Sequence, residues 1–234
     1  MYDEIAPIYQ QIFPLNRYFL DFMESVLPMP PASILDVGCG NGQYVDWFSK
    51  KGYQATGIDS SAGMIRRARQ DYQGTFFPLG FDQIDQLDHR FECVYCIGNS
   101  LSYLPQAQMD LFFRKTQTLL DPSGSFILQL VNWDHFQQKN AVSFPPISLE
   151  DGTVFHRSYR RVNASSVIFQ TSITANKEVI HRWEDTLFIH PSQLLLVKLT
   201  SAGFGQITLF GDFQQSPFFP NTSPAIILQA KLPV

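Results

Sequence analysis

No stretch of this 234-residue chain approaches the roughly 18 consecutive apolar residues that a membrane-spanning helix needs. No basic start runs into an apolar stretch at Met1–Pro7 either, so neither an anchor nor a secretion leader is expected. Charge is scarce. Asp, Glu, Lys and Arg make up 16% of the chain, against about 25% in an average soluble protein, and the net charge is −4. A chain without a basic excess lacks the electrostatic footprint of a nucleic-acid binder. Cysteine is scarce too: three residues, an odd number, fit a reducing cytoplasmic setting better than a disulfide framework. Cys93 and Cys96 spell C-x-x-C, but they fall in an expected strand, where residues three apart face opposite sides of the sheet. They cannot hold one metal ion together, and no metal site is expected. Internal repeats, low-complexity tracts and heptads are absent.

What the chain has in quantity is apolar bulk: 44% hydrophobic residues, 21 of them phenylalanine. Its length suffices for one α/β domain with a full core and no covalent staples. The aromatic surplus leaves room for an apolar ligand pocket or for an interface between copies in a homo-oligomer. The most informative segment is Ile34-Leu35-Asp36-Val37-Gly38-Cys39-Gly40-Asn41-Gly42, an apolar strand with one acid passing into three glycines at alternate positions. Such glycines permit a tight turn and let a ligand lie against bare backbone, with the N–H groups of the next helix pointing at it. A second strand ends on Asp59, 17 residues after Gly42, at a spacing that suits an acid accepting from both ribose hydroxyls. A nucleoside cofactor is implied. The third glycine comes one residue earlier than in the dinucleotide G-x-G-x-x-G pattern. Asp36 would face the middle of the ligand, where a carboxylate suits the ammonium and sulfonium of S-adenosylmethionine better than a pyrophosphate. A nicotinamide cofactor and a ligand-free α/β turn are the alternatives.

Along the chain, two N-terminal helices (2–11 and 17–26) precede a Pro-rich break, giving a helical cap over 1–31. Strands and helices then alternate in the doubly wound manner: strands at 33–37, 54–59, 75–79, 91–97 and 124–131, helices at 42–50, 61–71 and 105–119. The turn Asp121-Pro122-Ser123-Gly124 opens the fifth strand. The rhythm changes after Asn132, where 153–162, 167–175 and 179–189 read as consecutive antiparallel strands joined by short turns. A helix at 191–202, capped by Ser192, and strands near 206–210 and 225–231 return to the first sheet. The segment 140–190 is therefore expected to be an insertion within a single domain of 1–234.

The run Ile34–Gly42 with Gly57-Ile58-Asp59-Ser60-Ser61 and Met64 resembles class I S-adenosylmethionine-dependent methyltransferases, over nearly the whole chain. Three later segments resemble the glycine/sarcosine N-methyltransferase-like branch: Ile97-Gly98-Asn99-Ser100-Leu101-Ser102-Tyr103-Leu104, Asn132-Trp133-Asp134-His135, and Phe210-Gly211-Asp212-Phe213 with the stretch to Pro224. The resemblance implies a Rossmann-like, mostly parallel seven-stranded sheet with a reversed last strand and an antiparallel insertion after strand five. It implies S-adenosylmethionine held by Asp36, by the loop Gly38, Cys39, Gly40, Asn41 and Gly42, and by Asp59 and Ser60. On the same basis Met64, Phe81, Asp82 and Gln83 surround the adenine, and Ile97, Gly98 and Asn99 lie beside the sulfonium. The reaction implied is methyl transfer to N or O of a small molecule, with a non-catalytic S-adenosylmethionine-binding protein as the alternative.

Methyl transfer is an in-line displacement at an already activated carbon, so the protein chiefly aligns the nucleophile and excludes water. The acceptor side is therefore less legible. Asn132 aligns with the substrate-binding asparagine of the glycine enzyme, and Tyr9 sits where N-terminal tyrosines of such enzymes close over the cofactor; both are expected in positioning roles. Tyr18, Trp133, His156 and Arg182 are further candidates for the acceptor, with His135, Arg157 and Arg160 possible by position alone. One departure stands out. The arginine that holds a carboxylate in the glycine enzyme lies five residues before the proline opening the post-insertion helix; here that position is Thr186, and the nearest arginine is Arg182. Glycine is thus a poor candidate for the acceptor, and a larger, less polar amine or hydroxyl compound is expected.

Overall fold

A computed structural model describes residues 5–136 and 139–233. The N-terminal part of the first expected helix (2–4) lies outside them; within them the chain opens with a short 3-10 turn, Ala6–Ile8, and one helical turn, α1 (Tyr9–Ile12). α2 (Arg17–Val26) starts on Asn16, whose side chain accepts from the Tyr18 and Phe19 amides, as a helix cap should.

Seven strands form the main sheet: β1 (Ser33–Val37), β2 (Gln54–Ile58), β3 (Thr75–Phe77), β4 (Phe91–Cys96), β5 (Leu120–Val131), β11 (Gln206–Phe210) and β12 (Ala225–Lys231). Their order is β11-β12-β5-β4-β1-β2-β3, parallel throughout except β12, which runs antiparallel to both neighbours. The parallel strands are apolar on both faces because helices cover both. On one side Leu35, Val37, Val94, Phe126 and Leu128 pack with α5 (Met109–Leu119) and α6 (Ser192–Ser201). On the other, Ile34, Tyr95 and Ile127 pack with α2 and with α3 (Gln43–Lys50). Cys93 and Cys96 fall in these two opposite cores, as period-two alternation requires. α4 (Ala62–Asp71) connects β2 to β3.

Some boundaries differ from expectation for local reasons. The turn at Asp121–Gly124 is absorbed into β5 as an irregularity, the register against β4 shifting between Phe91 and Cys93. The helix expected from 105 begins at Met109, after a 3-10 turn at Gln106–Gln108. Ser192 is the first residue of α6 rather than its cap; its amide is satisfied by Asp134 Oδ2 at 3.0 Å, from the segment after β5.

Between β5 and α6 the chain forms a second, antiparallel sheet from β6 (Ala141–Ser143), β7 (Ile147–Ser148), β8 (Val154–Arg161), β9 (Ser166–Ala175) and β10 (Glu178–Phe188). Asn176 and Lys177, both at positive φ, make the two-residue hairpin turn that right-twisted strands favour. β6 and β7 are short edge pieces too brief to announce themselves in the sequence. Along β8 the inward positions are Phe155, Arg157 and Tyr159; Phe155 packs with Ile5, Ile12 and Met64, and Tyr159 with Trp133, Phe169 and Leu187. The paired rows Arg157–Thr171–Trp183 and Tyr159–Phe169–Asp185 share that face.

Candidate functional site

The glycine loop turns sharply from β1 onto β2: the Gly38 and Cys39 amides both donate to Ile58 O, at 2.8 and 2.9 Å. Gly38, Gly40 and Gly42 all lie at positive φ (+82°, +55°, +85°), where a side chain is strained. Space forbids one as well. A Cβ on Gly38 would stand 2.8 Å from Ser100 Cβ and Oγ, and one on Gly42 2.6 Å from the Phe76 ring. Above Gly40 lies the Tyr9 ring, its hydroxyl 3.1 Å from where a Cβ would be. Asp59 ties the loop to the next strand end. Its carboxylate accepts from Gly40 N at 2.9 Å and from Ser61 N at 2.8 Å. Ser61, not Asp59, caps α4 by accepting from Met64 N.

Under the loop sits Asp36. It is 2% exposed, and neither carboxylate oxygen has a hydrogen-bond partner among the described residues. Burial pushes its carboxyl well above the usual carboxylate range. Tyr95, its register partner on β4, offsets part of this through its hydroxyl, although that group is not placed to complete a hydrogen bond; the nearby Asp59 adds to the rise. Buried polar groups are rarely left orphaned, and an orphaned acid fits a cationic ligand. The bare backbone cradle and the acid beneath it suit the ammonium end of S-adenosylmethionine, which brings a methyl group on a positive sulfur.

The remaining cofactor candidates divide. Ser60 is exposed at the start of the β2–α4 connection. Gly80, on the loop after β3, comes within 4.0 Å of Ser60 Cβ at its Cβ position, so these two strand ends adjoin. Asp82 is exposed beside Gly80, while Gln83 Oε1 accepts from the Gly80 amide at 3.0 Å and so braces its own turn. Phe81 meets Phe112 edge-on, with centroids 5.2 Å apart. Met64 is 1% exposed, covered by the N-terminal segment and the inward face of the second sheet. After β4, Ile97 O accepts from the Ser100 hydroxyl, and Gly98 N donates to Gln129 Oε1. Asn99 turns its side chain away from the glycine loop: Oδ1 accepts from Ser102 Oγ and Val131 N, and Nδ2 donates to Tyr159 Oη at 3.4 Å.

On the acceptor side the structure rearranges the expectation. Asn132 is buried, and both its amide hydrogens are committed, to Pro220 O at 2.8 Å and Ser223 O at 2.7 Å; its Oδ1 accepts from Asp134 N. It clamps the β11–β12 connection and has no donor left for a substrate. His135 likewise meets Asn221 O. Trp133 is buried edge-on to Tyr159, its indole Nε1 unpartnered among the described residues. Tyr18 lies 58% exposed on α2, outside the buried clusters. His156 and Arg182 share the row His156–Ser172–Arg182, and by alternation with Phe155, Arg157 and Trp183 that row faces away from the main sheet. The structure thus corrects their expected role: one step of strand parity puts them on the wrong face for the acceptor. Thr186, by the same parity, also faces outward. The side chains that do face inward include Tyr159, which reaches Asn99, together with Thr171 and Asp185. Sequence reasoning also passed over Ser100 beneath Gly38 and Tyr95 beside Asp36. Tyr95 was legible, since it alternates with Cys93 on a strand adjacent to β1.

Residues 34–124 match the family model described as a methyltransferase domain. "Putative methyltransferase YqeM" of Bacillus subtilis (strain 168) is 27% identical over 199 residues, covering 80% of this chain and 78% of that protein. Among solved structures, an S-adenosylmethionine-dependent methyltransferase from Clostridium acetobutylicum aligns with a TM-score of 0.80 at 16% identity, over 100% of this chain and 99% of that one. The sugar N-methyltransferase KedS8 from a Streptoalloteichus species aligns at 0.68 and 17%, over 92% and 85%. At such identities the structures speak for the fold, and none of these names singles out the glycine/sarcosine branch. With the orphaned acid under a three-glycine loop and the seven-stranded sheet, residues 34–124 form a methyltransferase domain, and the chain is a methyltransferase that takes S-adenosylmethionine as its cofactor.

Proposed function

We propose that the chain methylates a nitrogen or oxygen of a small molecule bound between the C-terminal edge of the main sheet and the inward face of the second sheet. One observation carries this reading: Tyr159 of β8 reaches Asn99, so the second sheet closes directly on the strand-four loop. A ligand there meets aromatic walls, Trp133, Tyr159 and Phe169, rather than a charged groove. The net charge of −4 also argues against a polyanionic substrate. The fold shared with a sugar N-methyltransferase is in keeping with a small acceptor.

In this reading Asp36 receives the cofactor's ammonium and Asp59 the ribose hydroxyls. The loop Gly38–Gly42 lies along the methionine portion, Ser60, Met64, Phe81, Asp82 and Gln83 border the adenine, and Ile97, Gly98 and Asn99 form the floor near the sulfonium. Tyr9 covers Gly40 and excludes water. Asn132 positions the acceptor wall indirectly, through the β11–β12 connection, and the Trp133 indole N–H, unpartnered among the described residues, is a donor on that wall. A base is needed only where the acceptor carries a proton at neutral pH. Three buried free cysteines fit work in a reducing cytoplasm.

The test is a calorimetric titration with S-adenosylhomocysteine, with NAD as control, then methylation assays on amines, phenols and hydroxy acids using labelled cofactor. Micromolar binding of the first ligand and turnover with one acceptor class are expected. Tight cofactor binding without turnover on any class would overturn the acceptor reading while leaving the cofactor site standing.

A further inference from the structure

The edge of the second sheet is broken. β6 pairs with Ser158–Arg160 and β7 with Val154 and Phe155, so residues 144–146 leave the ladder between them. A cavity of about 240 Å³ opens at this break, and strand parity divides its lining. His156, Ser172 and Arg182 belong to the outward face, Arg157 and Thr171 to the inward one. Phe144, the first residue past β6, packs inward against Tyr159, with ring centres 5.4 Å apart.

Arg157 takes its place among these rings. Its guanidinium carbon lies 5.0 Å from the Phe144 ring centre and 5.7 Å from that of Phe13. Phe13 packs on Tyr9, centroids 5.0 Å apart, and Tyr9 covers Gly40 of the glycine loop. Phe144 meets Tyr159, whose hydroxyl reaches Asn99 of the strand-four loop. Arg157 thus stands one ring beyond each of the two tyrosines that touch those loops, on the inward face. Its charge is unanswered there. The buried Nε has no hydrogen-bond partner, and no ion pair among the described residues engages the guanidinium. Arg161, the inward arginine four residues on, instead donates to Phe136 O. Asp185, an inward carboxylate of β10, stands two strands away, about 10 Å at the usual spacing. Burial pushes the Arg157 pKa below the ordinary arginine value. Aromatic faces compensate part of the lost hydration, but the forked donors of a half-buried guanidinium want an oxyanion.

We propose that Arg157 holds a carboxylate of the methyl acceptor, so that the substrate is a small acid whose amino or hydroxyl group takes the methyl. The carboxylate is a handle and takes no part in the transfer. This inference rests on the small-molecule reading above and names its substrate class.

Matched pairs test it: 4-hydroxybenzoate and phenylalanine, each beside its amide, titrated by calorimetry into the full chain saturated with S-adenosylhomocysteine. At least one acid should bind saturably and about tenfold or more tightly than its amide, the value of one charge-assisted hydrogen bond. Arg157→Met keeps an apolar stem beside the rings and should erase that preference while the amide binds as before; a merely structural role would weaken both alike. Arg157→Lys retains stem and charge but not the fork, so it folds even where the methionine variant does not, and it should cut the preference severalfold. Arg182→Gln, on the outward face, should change nothing, and unaltered S-adenosylhomocysteine affinity certifies the fold of each variant. No saturable binding of either acid, or an acid preference that survives both Arg157 substitutions, overturns the proposal. Turnover confined to neutral acceptors sinks the carboxylate handle alone. Arg157-dependent acid binding without turnover on any class sinks the transfer reading and leaves the handle standing.

Discussion

The glycine loop and the broken edge of the second sheet both border a ligand-sized space, yet they are built in opposite ways. At the loop, positive φ and crowded neighbours leave backbone alone facing the ligand, and the charges present, Asp36 and Asp59, are acidic. At the edge, side chains do the facing, among them the basic His156, Arg157 and Arg182. Two glycines make the contrast measurable. Gly42 and Gly152 have nearly the same φ, +85° and +83°, but a Cβ would meet Phe76 at 2.6 Å on the first and nothing within 4 Å on the second. Gly42→Ala should therefore cost about 2–5 kcal/mol, strain plus overpacking, and Gly152→Ala only about 1–2 kcal/mol of strain. Chemical denaturation compares them directly; equal losses would mean that close packing is not what sets the loop apart.

The same contrast explains what could be read in advance. A ligand that touches backbone demands glycine at fixed spacing, so Gly38, Gly40, Gly42 and Asp59 could be placed from sequence alone. A ligand that touches strand side chains is sensitive to parity, and a sequence without known register leaves parity open. His156 and Arg182 failed on that point, while Arg157, one residue from His156, faces inward. Asn132 failed differently: its position was right, but its amide is consumed by Pro220 and Ser223, 88 and 91 residues later, a closure no local pattern encodes.

His190 lies outside both regions, where β10 runs into α6. It is 1% exposed, its Nε2 meets Leu101 O at 3.2 Å, and burial lowers its pKa to about 4. The unfolded chain takes up a proton near the ordinary 6.5 while the folded one refuses it, so stability falls as pH drops from about 6.5 to 4. The full effect is about 3 kcal/mol. His190→Gln, read by melting temperature across that window, should flatten this slope; an unchanged slope would place the acid sensitivity elsewhere.

Asp59→Ala sharpens the division of labour. It removes the acceptor for Gly40 N–H and, in the proposed cofactor site, the partner of the ribose, so S-adenosylhomocysteine should bind at least about tenfold more weakly, for about 1.5–3 kcal/mol of lost charged hydrogen bonds. Arg182→Gln, across the molecule, should leave that affinity untouched. A folded Asp59→Ala protein with wild-type affinity would remove Asp59 from the ribose.

The smallest expected change lies in a slope, and it tests the acid beneath the loop. In the free protein burial raises the Asp36 pKa above the ordinary 3.8, so the folded state holds a proton that the unfolded chain has released. Stability from this group is present at low pH and is lost as pH rises from about 4 through the raised value, opposite in sign to His190. Asp36→Asn carries no such titration, and its melting temperature should gain on the wild type as pH rises. Cofactor reverses the comparison. A bound ammonium favours the carboxylate, so wild-type affinity should climb with pH and binding should release up to one proton per site, measurable in buffers of different ionisation enthalpy; the variant should show neither. Asp36 would then be a group that costs the free fold stability at neutral pH and returns it only in the complex. Parallel pH profiles for the two proteins, with and without ligand, would mean that the orphaned carboxylate does not meet the cofactor's charge.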